Sequence, residues 1–245
     1  MSERESELAT ALAALRDRMA AAAQAAGRDA ADVELLPVTK FFPASDVAIL
    51  WRLGCRSFGE SREQEASAKI AEFQALTGAT DVDWHMVGQI QRNKAKHIAA
   101  WADTVHSVST AKVAVALDRG AMQAIDDGLR TDPVNVFVQI SLDGDTERGG
   151  VDVGDPAAVD AICAQVAQAD GLRLVGLMAI PPLGVDADDA FTALAAEHRR
   201  VLTNHPGATQ LSAGMSGDQE AAVRHGSTCV RVGTALMGNR PLTSP

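Results

Sequence analysis

QLSAGMSGDQEAAVRHGSTCVRVGTALMG, residues 210–238, reads as strand, helix, strand. The two strand candidates are QLSAGMS (210–216) and CVRVGTALMG (229–238), with a helical stretch from Gln219 to His225 between them. The same alternation runs upstream. Further strand candidates are VELLPVTK (33–40), CRSFGES (55–61), DWHMVGQ (83–89), TVHSVS (104–109), VNVFVQIS (134–141) and LRLVGLMAI (172–180). Helical stretches with recognisable ends separate them. Pro43 to Leu53 stops at Gly54, Arg62 to Thr77 at Gly78, and Thr110 to Asp127 at Gly128, while Pro156 behind Asp155 opens another. Eight strands, all but the last followed by a clear helix, predict an α/β fold with a parallel sheet closed into a (β/α)8 TIM barrel. A doubly wound open sheet is the runner-up, because strand number is easier to read than closure.

An extra N-terminal helix precedes the first strand. Over residues 4–26, Leu8, Leu12, Leu15 and Met19 recur at spacings of three and four and so share one face. Ser2 with Glu5 resembles a capping box, and Gly27 is a plausible stop. This helix is expected to plug or flank one end of the barrel. No linker or composition shift divides residues 1–245, so a single domain is expected.

Composition excludes several function classes. The length of 245 residues suits one barrel, and a hydrophobic fraction of 47% is that of an ordinary globular chain. The net charge of −10 argues against a nucleic-acid surface, which needs clustered Lys and Arg. No apolar run approaches bilayer length, so no membrane span is expected. The N-terminus, MSERESELATALAALRDRM, carries both charge signs and lacks an apolar h-region, which points to the cytoplasm. Cys55, Cys163 and Cys229 are few and far apart, reading as reduced core residues. The six histidines contain no HxH or HxxxH pair, so no metal site is expected.

In such a barrel, chemistry collects at the C-terminal ends of the strands. Strand one ends in Lys40, which shares a face with Leu36 and Val38 and so points into the barrel top. A partly desolvated amine there would be a nucleophile toward carbonyls; the plain alternative is a solvated lysine at a strand end. Strand seven ends in Met215-Ser216-Gly217-Asp218, where Ser216 reads as an N-cap. Strand eight carries Arg231-Val232-Gly233-Thr234, with Gly233 allowing close backbone approach and Thr234 adding a hydroxyl. The loops after strands seven and eight are the recurrent phosphate site of this fold, so the two motifs together favour phosphate binding over an ordinary cap and a core glycine. Arg231, midway along a core strand, must meet a carboxylate or a ligand. A ligand ring nitrogen is the sharper reading, since arginine keeps its proton and would leave a pyridine nitrogen unprotonated. His85 reads as a core histidine. Ser61 and Arg62 lie at the rim, as does the polar stretch Gln89 to Lys94; Arg148, in DGDTERGG, is expected to face water.

Six segments in order, LLPVTK, FGESREQE, WHMVGQIQRNK, GLMAIPP, LSAGMSGD and VRVGTALMGNR, resemble the pyridoxal phosphate homeostasis family, also called the YggS or PROSC family. The resemblance runs through nearly the whole chain. It implies a barrel like the N-terminal domain of alanine racemase, holding pyridoxal 5'-phosphate (PLP) as a Schiff base on the strand-one lysine. Carried over, Lys40 is the Schiff-base residue, Ser216, Gly233 and Thr234 bind the phosphate, Met215 lines that pocket, and Arg231 meets the pyridine nitrogen. Ser61 stands where the family usually has Asn, which puts a side-chain amide contact to the cofactor in doubt.

Two uses of such a cofactor compete. One is a non-catalytic protein of intracellular vitamin B6 homeostasis, a monomer with PLP-dependent apo-enzymes as recipients. The other is a PLP-dependent amino-acid racemase, which needs a second base on the cofactor face opposite the lysine. In alanine racemase-like enzymes that base is a tyrosine, and this chain has none. Nothing in the sequence positions Cys229 or a histidine as a substitute. A Schiff-base aldolase ranks last, because such enzymes commonly carry their lysine on strand six, which here ends in Ile180-Pro181.

Overall fold

The computed structural model describes residues 2–239. Its strands are β1 (Glu34–Pro37), β2 (Ser57–Glu60), β3 (Asp83–Met86), β4 (Thr104–Val108), β5 (Val134–Ser141), β6 (Val151–Asp152), β7 (Leu172–Ala179), β8 (Gln210–Ser212) and β9 (Cys229–Val232). The helices are α1 (Glu3–Ala25), α2 (Ala44–Arg52), α3 (Glu63–Thr77), α4 (Ala95–Trp101), α5 (Ala111–Asp126), α6 (Pro156–Ala167), α7 (Ala187–Asn204), α8 (Gln219–Arg224) and α9 (Thr234–Met237). Strand order around the wall is β1-β9-β8-β7-β5-β4-β3-β2, and every ladder is parallel. The wall closes where Val38 bridges Gly59 and the Thr39 amide donates to the Gly59 carbonyl at 2.9 Å. The runner-up, an open sheet, is thereby set aside.

Local signals decide the helix ends. Thr110 and Asp155 accept bonds from Val113 N and Ala158 N as N-caps, Pro156 is the first residue of α6, and Gly78 ends α3 in the left-handed conformation. The Ser2–Glu5 capping box is formed, and Leu8, Leu12, Leu15 and Met19 are all buried. Helix α1 flanks the barrel rather than plugging it. It packs beside α2, α8 and α9, where Arg4 reaches Asp46 at 2.7 Å and Arg28 donates to the carbonyls of Val223 and Ser227 at 2.8 Å. Because α9 has only four residues, α1 completes the outer ring beside it.

The core is a layer between wall and helices. Val105, Val136 and Leu177 from the strands meet Leu117, Val159 and Leu194 from the helices, and Phe58, Phe73 and Trp84 fill the opposite side. Each large apolar side chain so buried contributes about 1.5–3 kcal/mol before the entropy cost of ordering it. The inside of the barrel is different, and is partly polar.

Several expected boundaries need correction: β1 stops at Pro37 rather than at Lys40, and β3 at Met86 rather than at Gln89. The apolar run 229–238 is not one strand: β9 stops at Val232 and α9 follows, because Gly233 leaves the extended region and starts a short helix. The run 210–216 likewise ends as a strand at Ser212. The polar DGDTERGG segment holds a 3-10 turn at Thr146–Arg148 and leads into β6, which pairs with β5. Arg148 there is ion-paired to Asp143 and Asp145 at the surface, in keeping with the expectation that it faces water.

Candidate functional site at the barrel mouth

Strand register brings the candidate residues together. Leu36 pairs with Arg231 and Pro37 with Val232, and the Val38 amide donates to the Val232 carbonyl at 2.8 Å. The end of β1 that leads to Lys40 therefore lies beside the β9 end that leads to Gly233. A Cβ placed on Gly233 would have Val38 O as its nearest neighbour, at 3.8 Å. Lys40 and the Gly233–Thr234 turn are thus on adjacent strands rather than across the mouth from one another.

Lys40 is exposed just past the strand, in a turn whose next residue, Phe41, has φ +71°. That left-handed backbone costs a bulky residue roughly 1–3 kcal/mol and persists only where surroundings impose it. The Lys40 ammonium lies 5.7 Å from the Phe41 ring centre, and the Arg62 guanidinium 5.4 Å from it. The amine is solvent-facing, not part-desolvated as the strand pattern suggests, and no carboxylate among the described residues pairs with it.

Ser216 is not the helix N-cap. It sits in a turn, and Asp218 takes that position, because the Asp218 carboxylate already holds the Met215 amide at 2.6 Å and directs the chain into α8. Ser216 instead accepts a bond from the Ala235 amide of α9 at 3.3 Å. The loops after β8 and β9 are joined by that bond. Gly233 and Thr234 open α9, so their amides have no acceptor within the helix. Met215 is 37% exposed beside them. Ser61 is half-buried on the far side of β1, and its backbone packs so closely on Gly88 that any side chain at position 88 would collide with it. It borders a cleft of about 980 Å³ together with Phe41, Arg62, Lys69, Gln89 and Lys94.

Below the rim runs a polar chain that crosses the barrel. Arg231, 5% exposed, donates Nη1 to Ser212 Oγ at 2.5 Å and Nη2 to the Ala179 carbonyl at 3.0 Å. Ser212 Oγ meets His106 Nδ1 at 2.9 Å, and His106 Nε2 meets His85 Nδ1 at 3.0 Å. β4 and β8 are not neighbours in the wall, so the His106–Ser212 bond must span the interior. Phe137 stacks on His106 with ring centres 4.6 Å apart. Burial pushes both imidazoles toward the neutral form, and for His106 the charges of His85 and Arg231 add to it. No carboxylate among the described residues forms an ion pair with Arg231. Burial disfavours the guanidinium's charge, and the negative charge of Asp218 opposes that effect.

The family model for the alanine racemase N-terminal domain matches residues 10–241. The pyridoxal phosphate homeostasis protein of Mycobacterium tuberculosis is 61% identical over 249 residues, covering 99% of this chain and 96% of the relative. That of Escherichia coli K12 is 36% identical over 96% of this chain and 97% of its own length. This chain belongs to the pyridoxal phosphate homeostasis protein family. The solved structure of PipY of Synechococcus elongatus with PLP bound superposes with a TM-score of 0.78 at 34% identity, covering 94% of this chain and all of PipY (100%). Alanine racemase of Corynebacterium glutamicum shares the fold, with a TM-score of 0.60 at 16% identity over 92% of this chain and 60% of the enzyme.

Against this family background, sequence reasoning missed His106, Ser212 and Lys69. His106 and Ser212 are far apart in sequence, and only the closed barrel joins them. Lys69 lies in a helix where a lysine ordinarily reads as solvated, yet it is 6% exposed. An available signal was its spacing from Ala66 and Phe73, which puts it on the apolar face of α3.

Proposed function

We propose that this protein binds PLP as a Schiff base on Lys40 and holds it for intracellular vitamin B6 homeostasis. The observation that carries this reading is Arg231, a buried guanidinium with no ion-pair partner among the described residues, two strand positions below the Gly233–Thr234 turn. The guanidinium has five N–H groups and donates to Ser212 Oγ and the Ala179 carbonyl, so a pyridine nitrogen would accept from one that remains, and the joined β8 and β9 loops suit a phosphate. The residues therefore fit the cofactor. Family membership, and the PLP named in the structure of PipY, support the same assignment.

Each residue has a distinct task. Lys40 offers an exposed amine to the aldehyde that PLP supplies. Ser216, Gly233 and Thr234 hold the phosphate, with Met215 beside them. Arg231 would hold the ring nitrogen and, because it keeps its own proton, would leave that nitrogen unprotonated. Ser212 and His106 fix the guanidinium from below. Ser61, beyond β1, lines the neighbouring cleft with Phe41, and we assign it to the edge of the cofactor site on the family resemblance alone.

Holding is favoured over turnover by the supply of bases. The chain contains no tyrosine. Cys229 is buried, and burial pushes its thiol strongly upward, which keeps it protonated and leaves no thiolate to accept a proton. His85 and His106 are committed to the interior chain. Among the described residues no helix is long and apolar enough to cross a membrane. On the family reading we assign the protein as a cytoplasmic monomer with PLP-dependent apo-enzymes as recipients. Two measurements test the proposal. Added PLP should turn the protein yellow, and L-amino acids incubated with it in D2O should keep their α-proton signals. A protein that stays colourless would contradict binding, and rapid enzyme-dependent exchange would favour racemase chemistry.

A further inference from the structure

The turn that carries Lys40 is held from beneath by a cluster that the PLP site itself does not use. The Lys69 ammonium donates to the Thr39 carbonyl at 2.8 Å and to Glu60 Oε1 at 2.6 Å, and lies 3.5 Å from Glu65 Oε1. Glu60 Oε1 also accepts from the Thr39 hydroxyl at 2.6 Å. Glu65 Oε1 accepts from the Phe41 amide at 2.5 Å. These contacts end on the residues either side of Lys40 and leave Lys40 itself untouched.

Stability alone does not account for the cluster. Lys69 and Glu60 are 6% and 0% exposed, and a buried pair of this kind is often matched or bettered by apolar residues of similar volume. Glu60 Oε2 is buried without a hydrogen-bond partner, a further penalty that a purely structural pair need not carry. Lys69 occupies an apolar-face position of α3 between Ala66 and Phe73. What the cluster does accomplish is local: Glu65 captures the amide of the one non-glycine residue with positive φ among the described residues, and Lys69 and Glu60 fasten the residue before the lysine.

We propose that Glu60, Lys69 and Glu65 form a buried clamp that fixes the Thr39–Phe41 turn and thereby positions Lys40 to hold a carbonyl ligand. They are positioning residues, and the proposal rests on Lys40 being the PLP lysine. Without the clamp, Phe41 relaxes out of its left-handed conformation and the lysine samples orientations that do not face the β9 end.

The test uses Lys69→Met, Glu65→Ala and Glu65→Gln in the full chain, with three readouts: thermal midpoint, PLP affinity from the visible absorbance, and hydrogen exchange at the Phe41 amide without added PLP. Lys69→Met should lower the midpoint, because it leaves the Glu60 carboxylate buried without its partner. Glu65→Ala should raise Phe41 exchange and weaken PLP about tenfold, and Glu65→Gln, which keeps a carbonyl acceptor, should restore most of both. Glu65 is only half-buried, so its variants fold even where Lys69→Met does not. Unchanged PLP affinity in Glu65→Ala, with uptake intact in the parent, would overturn the clamp alone. Failure of the parent to take up PLP would overturn the cofactor reading and the clamp's role with it, while Phe41 exchange would still report whether the turn is held.

Discussion

The Val38 amide donates to the Val232 carbonyl at 2.8 Å, and this bond sets the lysine-bearing end of β1 beside the glycine turn of β9. Three candidate groups follow from that placement. Lys40 lies two residues beyond Val38, Gly233 one beyond Val232, and Arg231 faces the interior opposite Leu36. A one-residue slip of this register would turn Arg231 toward the helices and separate the three.

Arg231→Met separates binding from stability. The arginine is buried without a carboxylate, so its replacement by a flexible apolar side chain should change the stability of the unloaded protein by no more than about 2 kcal/mol in either direction. PLP affinity should fall at least about tenfold, as expected for a lost charged hydrogen bond. Denaturant titration and absorbance titration of the same variant check both halves. Strong destabilisation with undiminished binding would assign Arg231 to the fold instead.

The phosphate cup is tested by comparing PLP with pyridoxal, which lacks the phosphate. Ser216→Ala combined with Thr234→Val should weaken PLP about ten- to a hundredfold and leave pyridoxal unaffected. Gly233→Ala gives a cleaner probe, since its Cβ would meet only Val38 atoms, the nearest at 3.8 Å. The fold should tolerate it, so any loss of PLP affinity reports the ligand. Equal effects on both compounds would place the phosphate elsewhere.

How far the sequence reached depends on which interactions are local. Helix ends at Thr110, Asp155 and Gly78 were legible because a cap is decided within a few residues. The buried strands were legible as apolar runs, although 229–238 concealed α9, whose Ala-Leu-Met looks the same in a strand or a buried helix. The rim residues Lys40, Ser216, Gly233 and Thr234 came from strand ends plus the fold rule, and the structure gathers them at the β1, β8 and β9 ends. Ser216 was misread as a cap because Asp218, two residues on, competes for the same role. The Arg231–Ser212–His106–His85 chain was invisible, since its members meet only across a closed barrel.

The interior histidines predict an acid weakness. Burial holds the His85 and His106 pKa values below that of an unfolded histidine, and His198 is lowered likewise. The unfolded chain takes up protons near pH 6.5 and the native state only below that, so stability is full above about pH 6.5 and declines as pH falls beneath it. Each histidine contributes at most about 1.4 kcal/mol per pH unit in that window. Unfolding free energies at about pH 7.5 and about pH 5.5 should therefore differ, and the difference should shrink in His106→Asn. Burial raises the Glu60 carboxyl, which acts in the opposite sense, but Glu60 is present in both proteins, so the change in slope isolates the histidine. An unchanged slope would show that His106 does not titrate between the native and unfolded states.

The central claim is that Lys40 carries the cofactor, and borohydride reduction tests it most directly. Protein loaded with PLP, reduced and digested should yield one modified peptide, bearing the added mass on Lys40. Lys40→Ala should take up no colour and gain no label. Its stability should stay within about 0.5 kcal/mol of the parent, because the side chain is exposed. Label on another lysine, or undiminished colour in Lys40→Ala, would contradict the account.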